Sequence, residues 1–240
     1  MNKIVSLVSF LFVFSLAAES VINYKIKYVE SPYTPENVQE LLDLGVSPDE
    51  YETDIIGDTP LISSMYAPFK VRRDYSIFFE ERAKIVKILL KYKANPNLMN
   101  KCKSNFPLLA ASALGATSIL QLLLENGANV NLALQKGCTE RFPSGSTALH
   151  GAVRSASIDD YATFIPETIE LLIKYKAKID AIDINKNTPL HIAANVGKPN
   201  IVKILIENGA NKKMKNKEGK TAFDIALSNG NLEIAKLLKD

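Results

Sequence analysis
Residues that carry chemistry are scarce, since the 240-residue chain has only two cysteines and two histidines. The cysteines allow one disulfide at most, and two histidines leave little from which to build a metal or proton-transfer site. An excess of one charge is also missing. The 29 basic residues face 26 acidic ones for a net charge of +3, so composition makes no case for a nucleic-acid partner. Eleven glycines and eleven prolines exclude collagen, and the balanced charges exclude disorder. Beyond the first eighteen residues no apolar run concerns a membrane. What remains, 47% hydrophobic and 23% charged, is an ordinary folding chain of one or two domains.

Residues 1–20 have the layout of a secretory signal peptide: one cation (Lys3), an apolar core from Ile4 to Leu16, then small residues at Ala17 and Ala18. The core is short of the ~20 residues of a spanning helix, so cleavage is expected near residues 17–20. The mature chain is then expected outside the cytoplasm, periplasmic or secreted, with no stable membrane insertion. Residues 21–33 follow as a separate segment, in which Ile22, Tyr24, Ile26 and Tyr28 alternate with polar residues and permit a short strand.

From Thr34 onward the chain repeats itself. The cores Thr59-Pro60-Leu61, Pro107-Leu108, Thr147-Ala148-Leu149-His150, Thr188-Pro189-Leu190-His191-Ile192-Ala193 and Thr221-Ala222-Phe223 recur. Each of the first four is followed by an apolar stretch ending in Lys-Ala or Gly-Ala, at Ala94, Ala128, Ala177 and Ala210. Threonine followed by proline starts a helix, as N-cap and first helical residue. The stripe Ile201, Val202, Ile204, Leu205 and Ile206 forms a second helix, which Gly209 ends. Neither helix buries its apolar face alone, so the pairs must stack.

The pattern resembles the ankyrin repeat, whose T-P-L-H-x-A signature is complete at Thr188 to Ala193. The resemblance implies an all-α solenoid of helix-turn-helix units over residues 34–240. These are a half repeat at 34–50 and repeats at about 54–97, 101–131, 142–180, 183–213 and 216–240. Spacing varies among them. Pro107 to Ala128 and Pro189 to Ala210 both span 21 residues, but Pro60 to Ala94 spans 34 and Ala148 to Ala177 spans 29. Inserts in the second and fourth units are therefore expected. The insert from Met65 to Glu80 carries Tyr66, Phe69, Arg72, Arg73, Phe78 and Phe79. It reads as an interface or, for its phenylalanines, as an extension of the second helix.

His150 and His191 share one position in neighbouring units, where the resemblance implies a structural histidine bonded across adjacent loops. Cys102 and Cys138 precede the first helices of adjacent units, which a solenoid sets side by side. A disulfide in an oxidising compartment and two unpaired thiols both remain open. No phosphate-cradling loop, nucleophile elbow or zinc spacing occurs, and no cofactor or metal is expected.

The function expected is that of a non-enzymatic scaffold binding another, unidentified protein. The resemblance places the binding surface on the loop tips and the concave helical face: Ile55, Ile56, Asp58, Tyr66, Lys103, Asn105 and Leu114, then Arg154, Ser155, Ile184, Asn185, Asn187, Asn195 and Val196. Arg72 and Arg73 join them from the insert. An inhibitor or immunity protein for an exported enzyme or toxin, and a host-directed effector, are narrower versions. An enzyme with a pocket built from the inserts is the reading from another class, with Asp159 and Asp160 as its only nearby acids.

Overall fold
The computed structural model describes residues 34–50, 57–65, 75–137, 142–158 and 163–239, and for residues 75–77 the backbone alone. The signal-like segment and the alternating stretch Ile22 to Tyr28 lie outside the described residues. Among the described residues the chain is helical throughout. The helices are α1 (Pro35–Asp43), α2 (Pro60–Ser63), α3 (Tyr75–Lys91), α4 (Pro107–Leu114), α5 (Thr117–Glu125) and α6 (Ala148–Ser155). They continue with α7 (Ile165–Lys174), α8 (Pro189–Val196), α9 (Pro199–Glu207), α10 (Ala222–Ser228) and α11 (Leu232–Leu238). A single isolated bridge, Ala133 to Thr147, is the one β-type pairing among them.

Local chemistry sets the helix starts. The Oγ1 atoms of Thr34, Thr59, Thr188 and Thr221 accept the N–H groups of Asn37, Ile62, His191 and Asp224, and proline opens α1, α2 and α8. Such a cap satisfies one of the orphan donors of the first turn. Phe106 departs from this: it makes no side-chain cap bond before α4, and its ring is fully buried instead.

The helices stack in two rows. The first helices α2, α4, α6, α8 and α10 pack each on the next, and so do the second helices α1, α3, α5, α7, α9 and α11. Between the rows lies a continuous apolar core that includes Leu109, Leu120, Leu123, Leu149, Ile169 and Leu205, all fully buried. This is the stacking that neither helix of a pair could avoid, because each buries its stripe only against neighbours. Gly151 on α6 lets α6 close tightly on α4 within the first row, since a Cβ there would stand 2.5 Å from Leu109 Cδ1.

The irregular spacing lies in the long helix α3 and in two longer connections. The second helix α3 has 17 residues where α5 and α9 have 9. Residues 64–74 lie between α2 and α3, and residues 156–164 between α6 and α7, against only Gly115 and Ala116 between α4 and α5. Of those longer connections, 66–74 and 159–162 lie outside the described residues. Phe78 and Phe79 belong to α3. Phe79 is buried and meets the Phe164 ring edge-on at 6.5 Å, while the Arg82 guanidinium sits 4.9 Å from the centre of the Phe78 ring.

A polar ladder locks the units at the ends of the second helices. Asp49 accepts the N–H of Asn95 at 2.8 Å, Asn97 that of Asn129 at 2.7 Å, Asn131 that of Lys178 at 2.8 Å, and Asp180 that of Asn211 at 3.0 Å. Each acceptor lies four residues beyond the residue that ends its second helix in the left-handed region: Gly45, Lys93, Gly127 and Lys176. After Gly209 the same place falls to Lys213, which has no acceptor on its side chain.

Candidate protein-binding face
Each first helix is entered through a loop whose tip residue lies at positive φ: Gly57 (57°), Lys103 (53°), Gly145 (82°), Lys186 (56°) and Gly219 (75°). The turns are held from within by a side chain at their base. Asn100 Oδ1 accepts the N–H groups of Ser104 and Asn105, Asp183 Oδ1 those of Asn185 and Asn187, and Asn216 Oδ1 those of Glu218 and Lys220. Side chains of this type stabilise turns by bonding the backbone a few residues on.

Main-chain bonds then tie tip to tip. Lys101 N–H donates to the Gly57 carbonyl at 3.0 Å, Ile184 N–H to Ser144 at 2.7 Å, and Lys217 N–H to Asn185 at 2.9 Å. Gly145 lies so close to the next loop that a Cβ there would stand 3.0 Å from Asp183 Cα. Between the third and fourth units the approach is closer still: a Cβ on Gly137 would stand 2.5 Å from the Cys102 carbonyl oxygen. Cys102 is buried and disulfide-bonded. The chain's other cysteine, Cys138, lies outside the described residues.

The two histidines join the helix starts to these loops. Thr147 N–H and Thr188 N–H donate to Nδ1 of His150 and His191 at 3.2 Å, while Nε2 of each ring meets a carbonyl of the following unit, Asn187 or Lys220, at 3.1 Å. A carbonyl only accepts, so Nε2 carries the proton and both rings are neutral. Burial, the largest influence, holds both imidazoles below the usual histidine range, against the opposing pull of the carbonyls they bond. This is a structural role.

Several residues expected on the face are exposed along the loop edge: Lys103, Ile184, Asn185 and, on α8, Asn195. Asp58, Asn105, Asn187, Arg154 and Val196 are half-buried. Asp58 accepts Asn100 Nδ2 at 3.0 Å, and Asn187 Oδ1 accepts Asn216 Nδ2 at 3.1 Å, so both fasten neighbouring loops. Leu114 and Ser155 are 8% and 4% exposed. All eight residues of α4 are buried, because α4 lies between α2 and α6 and beneath α5, and Leu114 packs rather than presents itself. Ile55, Ile56, Tyr66, Arg72 and Arg73 lie outside the described residues, as do Asp159 and Asp160. Sequence reasoning missed the asparagine ladder, although its signal is countable: Asn or Asp four residues beyond the helix-ending Gly or Lys.

Stacked helix pairs whose loop tips are bonded across unit boundaries define a repeat solenoid. The family model for ankyrin repeats, three copies, matches residues 76–166 and 162–240. The chain belongs to the ankyrin repeat family. It is 31% identical over 160 residues to an ankyrin repeat protein of fowlpox virus, covering 64% of this chain and 42% of that protein. It is 25% identical over 227 residues to human SH3 and multiple ankyrin repeat domains protein 2, covering 85% of this chain and 11% of that protein. Mouse protein phosphatase 1 regulatory subunit 27 is 40% identical over 83 residues, covering 35% of this chain and 49% of that protein. The chain thus spans less than half the length of these relatives. Ankyrin repeats imply a role in protein–protein interaction, and no helix among the described residues is long and apolar enough to cross a membrane.

Proposed function
We propose that this chain is an exported, non-enzymatic scaffold that binds one protein partner through its loop tips and the adjoining face of its first helices. The observation that carries this reading is the main-chain bonding of loop tips at three of the four unit boundaries, from Lys101 to Gly57, Ile184 to Ser144 and Lys217 to Asn185. A surface ordered before it meets a partner loses little entropy on binding, so contacts spread over several units add up to useful affinity. Arg154 and Asn195 contribute from the helices, and Tyr66, Arg72 and Arg73 from the second unit.

Export is supported by the signal-like residues 1–20 and by the disulfide at Cys102, since such bonds persist chiefly in oxidising compartments. The partner sulfur in this reading is Cys138, which would pin the long loop before α6 to the loop before α4. Crosslinking in the native organism, followed by capture from the exported fraction, tests the scaffold. A single stoichiometric protein linked through the loop edge supports it, and recovery of the chain alone with working controls counts against it. Intact mass of the exported material reads the signal segment directly.

A further inference from the structure
The loop edge is not electrically neutral, even though the whole chain nearly is. Residues 175–188 and 208–221, the loops that enter α8 and α10, hold eight lysines and three carboxylates. The carboxylates are already committed. Asp183 is 3% exposed and spends Oδ1 on its own turn, Asp180 accepts the Asn211 N–H, and Glu218 pairs with Lys220 at 3.0 Å. Lys186, Lys215 and Lys217 are exposed, and among the described residues none of the three has a carboxylate within ion-pair distance.

The placement of Lys186 is costly within the fold. It occupies the left-handed tip at φ 56°, where three of the other four units have glycine, and an L-residue there costs roughly 1 kcal/mol. It also precedes the N-cap of α8 by two residues, where the positive end of the helix dipole disfavours a cation. Neither the backbone nor the helix gains from a lysine at this tip. In the third unit Lys103 stands at the same kind of tip, before α4.

Beside these cations lie the most exposed apolar side chains of the loop edge. Ile182 and Ile184 are 48% and 52% exposed on either side of the buried Asp183, because alternate residues of an extended segment face opposite ways. Asn216 plays the part of Asp183 in the last unit, so Lys215 and Lys217 occupy the places of Ile182 and Ile184 one unit on. The Lys217 N–H bond to the Asn185 carbonyl sets the two segments side by side.

We propose that the loop edge of the last two units docks an acidic, extended segment of the protein partner, with Lys186, Lys215 and Lys217 meeting its carboxylates and Ile182 and Ile184 covered by one of its apolar side chains. This rests on the scaffold reading and names the chemistry of its partner. Packed helices lie about 8–10 Å apart, and a segment extended as polyproline II advances ~3.1 Å per residue with three residues per turn, so that residues three apart share one face. A segment crossing the units therefore offers carboxylates in register when Asp or Glu recurs at every third position.

The test uses the full chain and synthetic peptides of about twelve residues with Asp at every third position and one central Leu. The same peptide with Asn for Asp, a single-stranded oligonucleotide and phosphatidylserine vesicles serve as competing probes. Fluorescence anisotropy is expected to show the acidic peptide binding roughly ten-fold more tightly than its Asn counterpart at low salt, with affinity falling as salt rises. Lys186→Glu with Lys217→Glu is expected to lose at least about ten-fold, and Ile182→Ser with Ile184→Ser several-fold; circular dichroism checks that both variants fold. Equal affinity for both peptides, or no binding, overturns the proposal. So does tighter binding of the oligonucleotide or vesicles that ignores Ile182 and Ile184. If the captured native partner binds the charge-reversed chain unchanged, the acidic-segment inference fails while the scaffold stands. If no partner is captured at all, the scaffold reading itself fails.

Discussion

Asn131 and Lys178 are joined across a unit boundary: the Asn131 Oδ1 accepts the Lys178 main-chain N–H at 2.8 Å, and its Nδ2 donates to the Lys176 carbonyl at 3.2 Å. One amide thus satisfies a donor and an acceptor at the end of α7 and its following turn, and Asn97 does the same for Asn129 and Gly127. Asp49 and Asp180, at the equivalent places, can only accept.

Asn131→Ala is expected to lower unfolding free energy by about 1–2 kcal/mol, because both partners lose their bond. Asn131→Asp keeps the acceptor and should cost less than the alanine. Urea denaturation with an unchanged m-value reads both. Equal costs for Ala and Asp would show that the accepted bond contributes nothing.

The left-handed positions separate conformational from steric cost. A Cβ added at Gly219 would meet nothing within 4 Å, whereas one at Gly137, which is not at positive φ, would stand 2.5 Å from the Cys102 carbonyl oxygen. Gly219→Ala is expected to cost about 1 kcal/mol through its backbone alone. Gly137→Ala is expected to cost more, about 1–3 kcal/mol, because main chain must shift. Calorimetric melting of both variants compares them, and the reverse order would contradict the close approach of these loops.

Lys93 and Lys176 end α3 and α7 at φ 68° and 69°, where Gly127 and Gly209 end α5 and α9. Replacement by glycine relieves roughly 1 kcal/mol of left-handed strain. It surrenders part of that to unfolded-chain entropy and to the favourable cation at a helix C-terminus. Lys93→Gly and Lys176→Gly are therefore each expected to stabilise by up to about 0.5 kcal/mol, and a loss of stability in chemical denaturation would contradict this.

How far the sequence disclosed this molecule follows from what repeats and what does not. Thr188 to Ala193 and the apolar stripe Ile201 to Ile206 announce a helix pair because capping and periodicity are local. The roles of His150 and His191 follow from family resemblance, and the geometry gives the reason: both ring nitrogens are committed. Burial is not local. Leu114 lies on the helix face expected to be open, but the packing of α4 between its neighbours encloses it. The charge of the loop edge is visible as lysines from Lys174 onward, but composition does not reveal that Asp180, Asp183 and Glu218 are already engaged.

Acid should weaken the fold through two kinds of group with separate onsets. His150 and His191 have folded-state pKa values held below the unfolded value of about 6.5, so the unfolded chain binds protons first as pH falls. Stability is complete above that value and declines as pH drops below it, since protonation would put a donor at Nδ1, which now accepts from a threonine N–H. In the last unit Asp224 occupies the place of these histidines, three residues after the N-cap threonine. The backbone and side-chain hydrogen bonds of Thr221, joined by nearby lysines, hold its carboxyl below the usual aspartate range. Its contribution is present above the unfolded aspartate value and is lost as pH falls through the lower, folded one. Urea midpoints measured between pH 8 and pH 3 are expected to stay level to about pH 7, decline as pH falls below about 6.5, and decline more steeply below about pH 4. The double variant His150→Gln and His191→Gln should remove the first decline and leave the second. Glutamine can still accept from threonine and donate to the carbonyl, and it does not titrate. A first decline that persists in that variant would assign it to other groups.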